Sequence, residues 1–133
     1  MRDARKWTTI AAVLTSCRDT GLKLWAAGFS FGAFIALATG VADPRVKVLI
    51  GVAPPIQYDL SAVQASEKPK FLIHGERDEL IPLKEMWHFY GQMQEPKELV
   101  VIDAADHVFD GKASEVGDAI KDLLGDFVSI PKG

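Results

Sequence analysis

Apolar positions along this chain change period from block to block. Trp7, Ile10, Leu14 and Cys17 recur at the spacing of one helix face, which predicts a helix over about 3–20, capped by Asp3 and ended by Gly21. Residues 22–27 form an apolar run predicted as a strand, and 31–41 a helix-like run. After Pro44, the stretch Val46-Lys47-Val48-Leu49-Ile50-Gly51-Val52 reads as a buried strand. Pro54-Pro55 opens a loop that runs to about Lys68, with room for one helical turn. Residues 70–74 are a short strand. Pro82 opens a helix with Leu83, Met86, Trp87, Tyr90 and Met93 on one face. Residues 98–102 are a fourth strand, and Val116, Ile120, Leu123, Leu124 and Phe127 stripe a last helix. Apolar strands alternating with helices predict an α/β fold, a parallel sheet of about four strands flanked by helices on both faces. The length, 133 residues, is that of a single domain over 1–133.

Between the first strand and its helix stands Gly28-Phe29-Ser30-Phe31-Gly32. The G-x-S-x-G pattern is too short to be diagnostic alone. In a strand-to-helix context it predicts a nucleophile elbow, a sharp turn that presents the serine. Side chains flanking that turn would clash, and Gly28 and Gly32 remove them. Ser30 then sits at a helix N-terminus, where backbone N–H groups favour a developing negative charge.

Ligand chemistry in open parallel sheets gathers at the carboxyl ends of the strands. Ser30 follows the first strand, Asp78 the third and His107 the fourth. The order Ser, Asp, His is that of the α/β-hydrolase arrangement among serine-triad folds. A serine hydroxyl needs a base to take its proton. His107 suits that role, with Asp78 orienting the imidazole and the Phe31 N–H as one oxyanion donor. Glu76, Glu79 and Asp106 are rival acids, and His74 and His88 rival bases. His74 reads as structural and His88 as a surface or packing residue. Phe29, Tyr58, Val108 and Phe109 are candidate substrate-binding residues, with Phe31 beside them. The Gln57-Tyr58-Asp59-Leu60 segment is placed to overhang the site.

Composition changes the picture only by exclusion. Hydrophobic residues make up 48% and charged residues 25%, ordinary for a globular protein. A net charge of −3 offers nothing to nucleic acid or an anionic membrane, and no apolar run reaches the about 18 residues that span a bilayer. The single cysteine, Cys17, excludes an internal disulfide framework and fits a reducing, cytoplasmic compartment. Arg2, Arg5 and Lys6 before an apolar stretch ending at Cys17 have the outline of a lipoprotein signal. Its apolar core is at the short limit and Asp3 lies in its basic region, so the helix reading is preferred. Three scattered histidines show no metal-ligand spacing, the glycine-rich turn lacks the lysine of a phosphate loop, and no cofactor is expected. Lys84, Lys97, Lys112 and Lys121 read as solvated charges.

The segments GFSFGAF, VAPP, HGERDELIP and ADHVF resemble the α/β-hydrolase superfamily, and most closely its small, cap-less, dienelactone-hydrolase-like esterases. The resemblance runs from about residue 3 to the end. It implies hydrolysis of a small carboxylic ester through an acyl-enzyme, with Ser30 as nucleophile, Asp78 as orienting acid and His107 as base. Dienelactone hydrolases themselves carry a cysteine at the elbow, so Ser30 groups this chain with esterases. The same three residues would equally serve acyl transfer or thioester cleavage. A non-catalytic hydrolase relative acting as a binding or dimerisation module is the alternative from another class. An interfacial lipase fits less well, because no long apolar insertion lies between Val52 and Lys70.

The superfamily places three or four further strands before the elbow, and a loop there supplies the second oxyanion donor. This chain resembles the C-terminal portion of that fold. Its first strand would then lie at a sheet edge that invites pairing, and loss of one oxyanion donor costs about 10²–10³ in rate. The sheet is therefore expected to be completed by a second copy or by an N-terminal segment. Light scattering on the purified 133-residue chain is expected to give more than a monomer's mass. A compact monomer would overturn that expectation.

Overall fold

The computed structural model describes residues 24–129, so the predicted helix over 3–20 lies outside the described residues. Four parallel strands, β1 (Leu24–Phe29), β2 (Val46–Val52), β3 (Lys70–Gly75) and β4 (Lys97–Ile102), form one sheet in the order β1-β2-β3-β4. Four helices alternate with them or follow: α1 (Phe31–Ala42), α2 (Ser61–Ala65), α3 (Leu83–Gly91) and α4 (Ala113–Ser129). This is the predicted α/β architecture. β1 and β4 are its edges among the described residues.

β1 extends two residues further than its predicted end. Its parallel pairing with β2 continues through Gly28↔Gly51 to Phe29↔Val52. Glycine is a poor strand former in isolation, but here ladder hydrogen bonds carry the strand up to Ser30. The predicted loop after β2 contains one short helix, α2, and β4 starts one residue earlier than its apolar run suggests.

Helices cover both faces, as a parallel sheet requires. On one face Ala36 and Leu37 of α1, Val63 of α2 and Met86 and Phe89 of α3 pack with Ala26, Leu49 and Leu72 of the sheet. On the other, Val52, Ile73 and Ile102 pack with Ala105 and Phe109, against which Val116, Ala119 and Ile120 of α4 lie. Val48, Leu49, Leu72 and Ile73 are fully buried. Burial of each such side chain contributes about 1.5–3 kcal/mol.

Several lysines stabilise helix ends. The Lys68 ammonium donates to the carbonyls of Gly40 (2.8 Å) and Asp43 (2.7 Å) at the C-terminal end of α1, where cations offset unpaired carbonyls. Lys97, expected to be a solvated charge, instead donates to the Tyr90 carbonyl (2.9 Å) at the end of α3 and lies 4.5 Å from the centre of the Tyr90 ring. Its position at the start of β4, beside α3, explains the difference. Lys70 is wholly buried, and its ammonium is bonded to the Ser66 and Lys68 carbonyls (2.6 and 2.7 Å). Burial lowers its pKa.

The turn from β1 into α1 is the tightest approach in this arrangement. A Cβ placed on Gly28 would collide with the Gly32 carbonyl group, and it would lie 2.8 Å from the Ala33 nitrogen. Both neighbours are backbone and cannot rotate away. Gly28→Ala is therefore expected to destabilise the protein by about 1–3 kcal/mol, read as a shift in denaturant midpoint. An unchanged midpoint would show that the turn can open.

Candidate active site

Ser30 stands where β1 becomes α1, and the chain bends there through φ 56° and ψ −124°. A non-glycine residue at positive φ is strained by about 1–3 kcal/mol and persists only when its surroundings impose it. Here the Ser30 N–H donates to the Val52 carbonyl (2.8 Å), and the Ser30 carbonyl accepts from Ala33 N–H (2.8 Å). The bend is thus held by the next strand on one side and by the first turn of α1 on the other.

His107 and Asp78 arrive on two loops that are tied together. Glu76 N–H donates to the Ile102 carbonyl (3.0 Å) and Arg77 N–H to the Ala105 carbonyl (2.8 Å). The Glu76 carboxylate accepts from Ala104 N–H (2.6 Å). Gly75 lets the second loop pass close over the end of β3, since a Cβ there would lie 2.5 Å from the Ala105 carbonyl oxygen and 2.7 Å from that of Asp106. Ala104 and Phe109, at φ 59° and 58°, bracket the turn that carries His107.

Together these segments bring Ser30, His107 and Asp78 into one line. The Ser30 Oγ is 2.9 Å from His107 Nε2, and His107 Nδ1 is 2.7 Å from Asp78 Oδ2. The carboxylate only accepts, so Nδ1 carries the hydrogen and Nε2 offers its lone pair to the serine hydroxyl. The other Asp78 oxygen, Oδ1, accepts from the N–H groups of Leu80 (2.8 Å) and Ile81 (2.7 Å). Asp78 is 5% exposed and His107 7%, so the hydrogen bonds are shielded from water while Ser30 stays partly open. This geometry can move a proton from the serine to the imidazole while the aspartate stabilises the imidazolium. The Phe31 N–H lies in the first turn of α1, where amides have no intrahelical acceptor.

The rivals are placed elsewhere. Glu79 is exposed, Asp106 accepts from Asp110 N–H (3.0 Å), and Glu76 braces the loop beside His107. His88 is exposed on α3. His74 is completely buried next to Asp78, with Nε2 2.7 Å from the Ile81 carbonyl.

The four candidate substrate-binding residues separate into two pairs. Phe109 is 5% exposed and belongs to the core against α4, so it does not line an open pocket. Phe29 packs between it and His107, with ring centres 6.1 Å and 5.9 Å away, and supports the imidazole from below. Both residues follow strand alternation and loop strain into the sheet face that carries α4. Tyr58 and Val108 are about half exposed. Tyr58 packs on Phe34 (5.1 Å) and Phe31 (5.9 Å), which brings the 57–60 segment to the residue after Ser30. A groove of about 970 Å³ between that segment and α3 is bordered by Tyr58, Leu80 and Ile81 and adjoins the Asp78 loop without including Ser30 or His107. Leu80, 69% exposed, is a rim residue that sequence patterning did not single out. The signal available was its place two residues after Asp78. Among the described residues no helix is long and apolar enough to cross a membrane, and no group of three or more His, Cys, Asp or Glu is arranged to hold a metal ion.

The profile of one protein family matches residues 4–126 of this chain, and it describes the dienelactone hydrolases. The chain belongs to the dienelactone hydrolase family. This family member is 28% identical over 106 residues to an uncharacterized protein of Rickettsia prowazekii (strain Madrid E), a match covering 73% of the chain and 44% of the relative. Among solved structures it is similar to an α/β serine hydrolase homologue from Coxiella burnetii, with 33% identity and a TM-score of 0.74 over 83% of this chain and 54% of that one. It is also similar to an α/β serine hydrolase without a lid from Xanthomonas campestris, with 27% identity and a TM-score of 0.76 over 94% of this chain and 56% of that one. The chain thus spans about half the length of the relatives it matches.

Burial is the chief cause that holds the His74 imidazole below its ordinary pKa of 6.5, with the Ile81 carbonyl and Asp78 opposing and His107 adding to it. As pH falls below 6.5 the unfolded chain takes up a proton that the folded chain refuses. Stability is fully present above that pH and declines below it, at up to about 1.4 kcal/mol per pH unit for this group. Chemical denaturation at pH 7.5 and 5.5 is expected to show this loss in the native protein and a smaller one in His74→Leu. Equal losses would assign the pH dependence to other groups.

Proposed function

We propose that the protein is a serine hydrolase that cleaves carboxylic esters through an acyl-enzyme. One observation carries the reading: Ser30 Oγ, His107 and Asp78 form a continuous hydrogen-bonded line, 2.9 Å and then 2.7 Å, at the tip of a strained strand-to-helix turn. His107 Nε2 takes the Ser30 proton as Oγ adds to the ester carbonyl carbon. The carbonyl oxygen becomes an oxyanion facing the Phe31 N–H. Collapse of this intermediate breaks the bond to the alcohol, which leaves with the proton from His107. Water, deprotonated by the same imidazole, then adds to the acyl-serine and releases the acid and Ser30. Family membership and the likeness to serine hydrolases support the same reading.

The surface around the line supports an apolar group on the substrate. Phe31 (50% exposed), Tyr58 (46%), Leu80 (69%) and Val108 (46%) leave large apolar side chains open to solvent. Phe31 follows Ser30, Tyr58 packs on Phe31, Leu80 lies two residues after Asp78, and Val108 follows His107. Apolar patches of this kind mark sites of contact with a partner or ligand.

Ser30→Ala is expected to lower the hydrolysis of a chromogenic short-chain ester by at least about 10³-fold, with the thermal midpoint little changed. Equal hydrolysis by the native chain and the variant would remove the enzyme reading.

A further inference from the structure

We propose that His74 is a positioning residue for the Ser30–His107–Asp78 line: its Nε2–H, acting through the Ile81 carbonyl, fixes the loop whose amides hold Asp78. This rests on the hydrolase reading above. His74 is the second-last residue of β3, paired with Val101 of β4 and fully buried. Its Nε2 lies 2.7 Å from the Ile81 carbonyl oxygen, which can only accept. Nε2 therefore carries the hydrogen and Nδ1 is a bare lone pair. Among the described residues, His74 Nδ1 is the buried side-chain atom that has no hydrogen-bond partner. Such an atom costs about 1–3 kcal/mol, so packing alone would be better served by leucine. What leucine lacks is the Nε2–H.

That hydrogen bond closes a ring. Ile81 is gripped at both backbone groups, its carbonyl by His74 and its N–H by Asp78 Oδ1 (2.7 Å). Leu80 N–H holds the same Oδ1 (2.8 Å). With Oδ1 pinned by two amides, the carboxylate cannot rotate, and Oδ2 is left facing His107 Nδ1 at 2.7 Å. His74 Nε2 also stands 3.6 Å from Oδ2, too far for a hydrogen bond. Without the Nε2–H, the Ile81 carbonyl, in a residue only 4% exposed, is left unpaired, and the 78–81 turn loses its fixed geometry.

The test compares the native full chain with His74→Leu, His74→Gln, His74→Asn and Ser30→Ala on the chromogenic ester, normalised to correctly folded protein by circular dichroism. The Gln amide reaches about where Nε2 stands, whereas the Asn amide is one carbon shorter. His74→Leu is expected to lower kcat by about 10- to 100-fold, as a displaced catalytic group does, with KM within twofold. His74→Gln is expected to recover most of the loss. Unchanged kcat in His74→Leu, or equal losses in His74→Leu and His74→Gln, would overturn the proposal. If His74→Leu does not fold, Gln against Asn decides: a kcat in Gln well above that in Asn supports the role, and equal values overturn it. A Ser30→Ala variant as active as the native chain would sink the hydrolase reading itself. An inactive Ser30→Ala beside an unaffected His74→Leu would sink only the positioning role.

Discussion

The backbone at Ser30 cannot hold its conformation alone. A residue at φ 56° and ψ −124° lies outside the regions that side-chain-bearing residues favour. The fold confines it from both sides. β1 is hydrogen-bonded to β2 as far as Phe29↔Val52, and the Ser30 N–H extends that ladder by one more bond, to the Val52 carbonyl. α1 begins at the next residue and packs into the sheet. Strand and helix can come this close only because Gly28 has no Cβ to meet the Gly32 carbonyl. The energy stored in the turn is small beside the apolar burial that fixes β1 and α1. In return, the hydroxyl is presented at the sheet's carboxyl edge.

The partners of that hydroxyl are held by a different device. Asp78 and His107 are carried by two loops bound to each other and to the end of β4. The Glu76 side chain, the Arg77 amide and the close passage at Gly75 fix the β4–α4 loop against the β3–α3 loop. These ties hold the His107 and Asp78 loops against each other, with His107 Nδ1 2.7 Å from Asp78 Oδ2. Phe29 and Phe109 fill the space beneath the imidazole and link this loop pair back to the core on the α4 face.

Buried polar groups here are tied to the site or to helix ends. Lys70 and Lys68 satisfy backbone carbonyls where α1 and the segment before β3 end. His74 satisfies the Ile81 carbonyl. For Lys70 and His74, both fully buried, these bonds supply the partner that a polar side chain in a protein interior needs.

Much of this was legible from residue order. Continuous apolar runs located all four described strands, because a sheet covered on both faces buries successive residues, and helical runs located α1, α3 and α4. The G-x-S-x-G turn and the order Ser30, Asp78, His107 at successive strand ends named the residues that the structure brings together. Local patterns determine such features, since a turn's geometry and a strand's end depend on near neighbours. Tertiary structure decided what depends on contacts between distant segments. It chose Asp78 over Glu76 and Asp106 as the partner of His107, sent Phe109 into the core while leaving Val108 exposed, and turned Lys97 into a cap for α3. It also set His74, which the sequence marks only as structural, behind Asp78. Side chains separated by tens of residues meet only after sheet order and loop packing are fixed, and no local period encodes those distances.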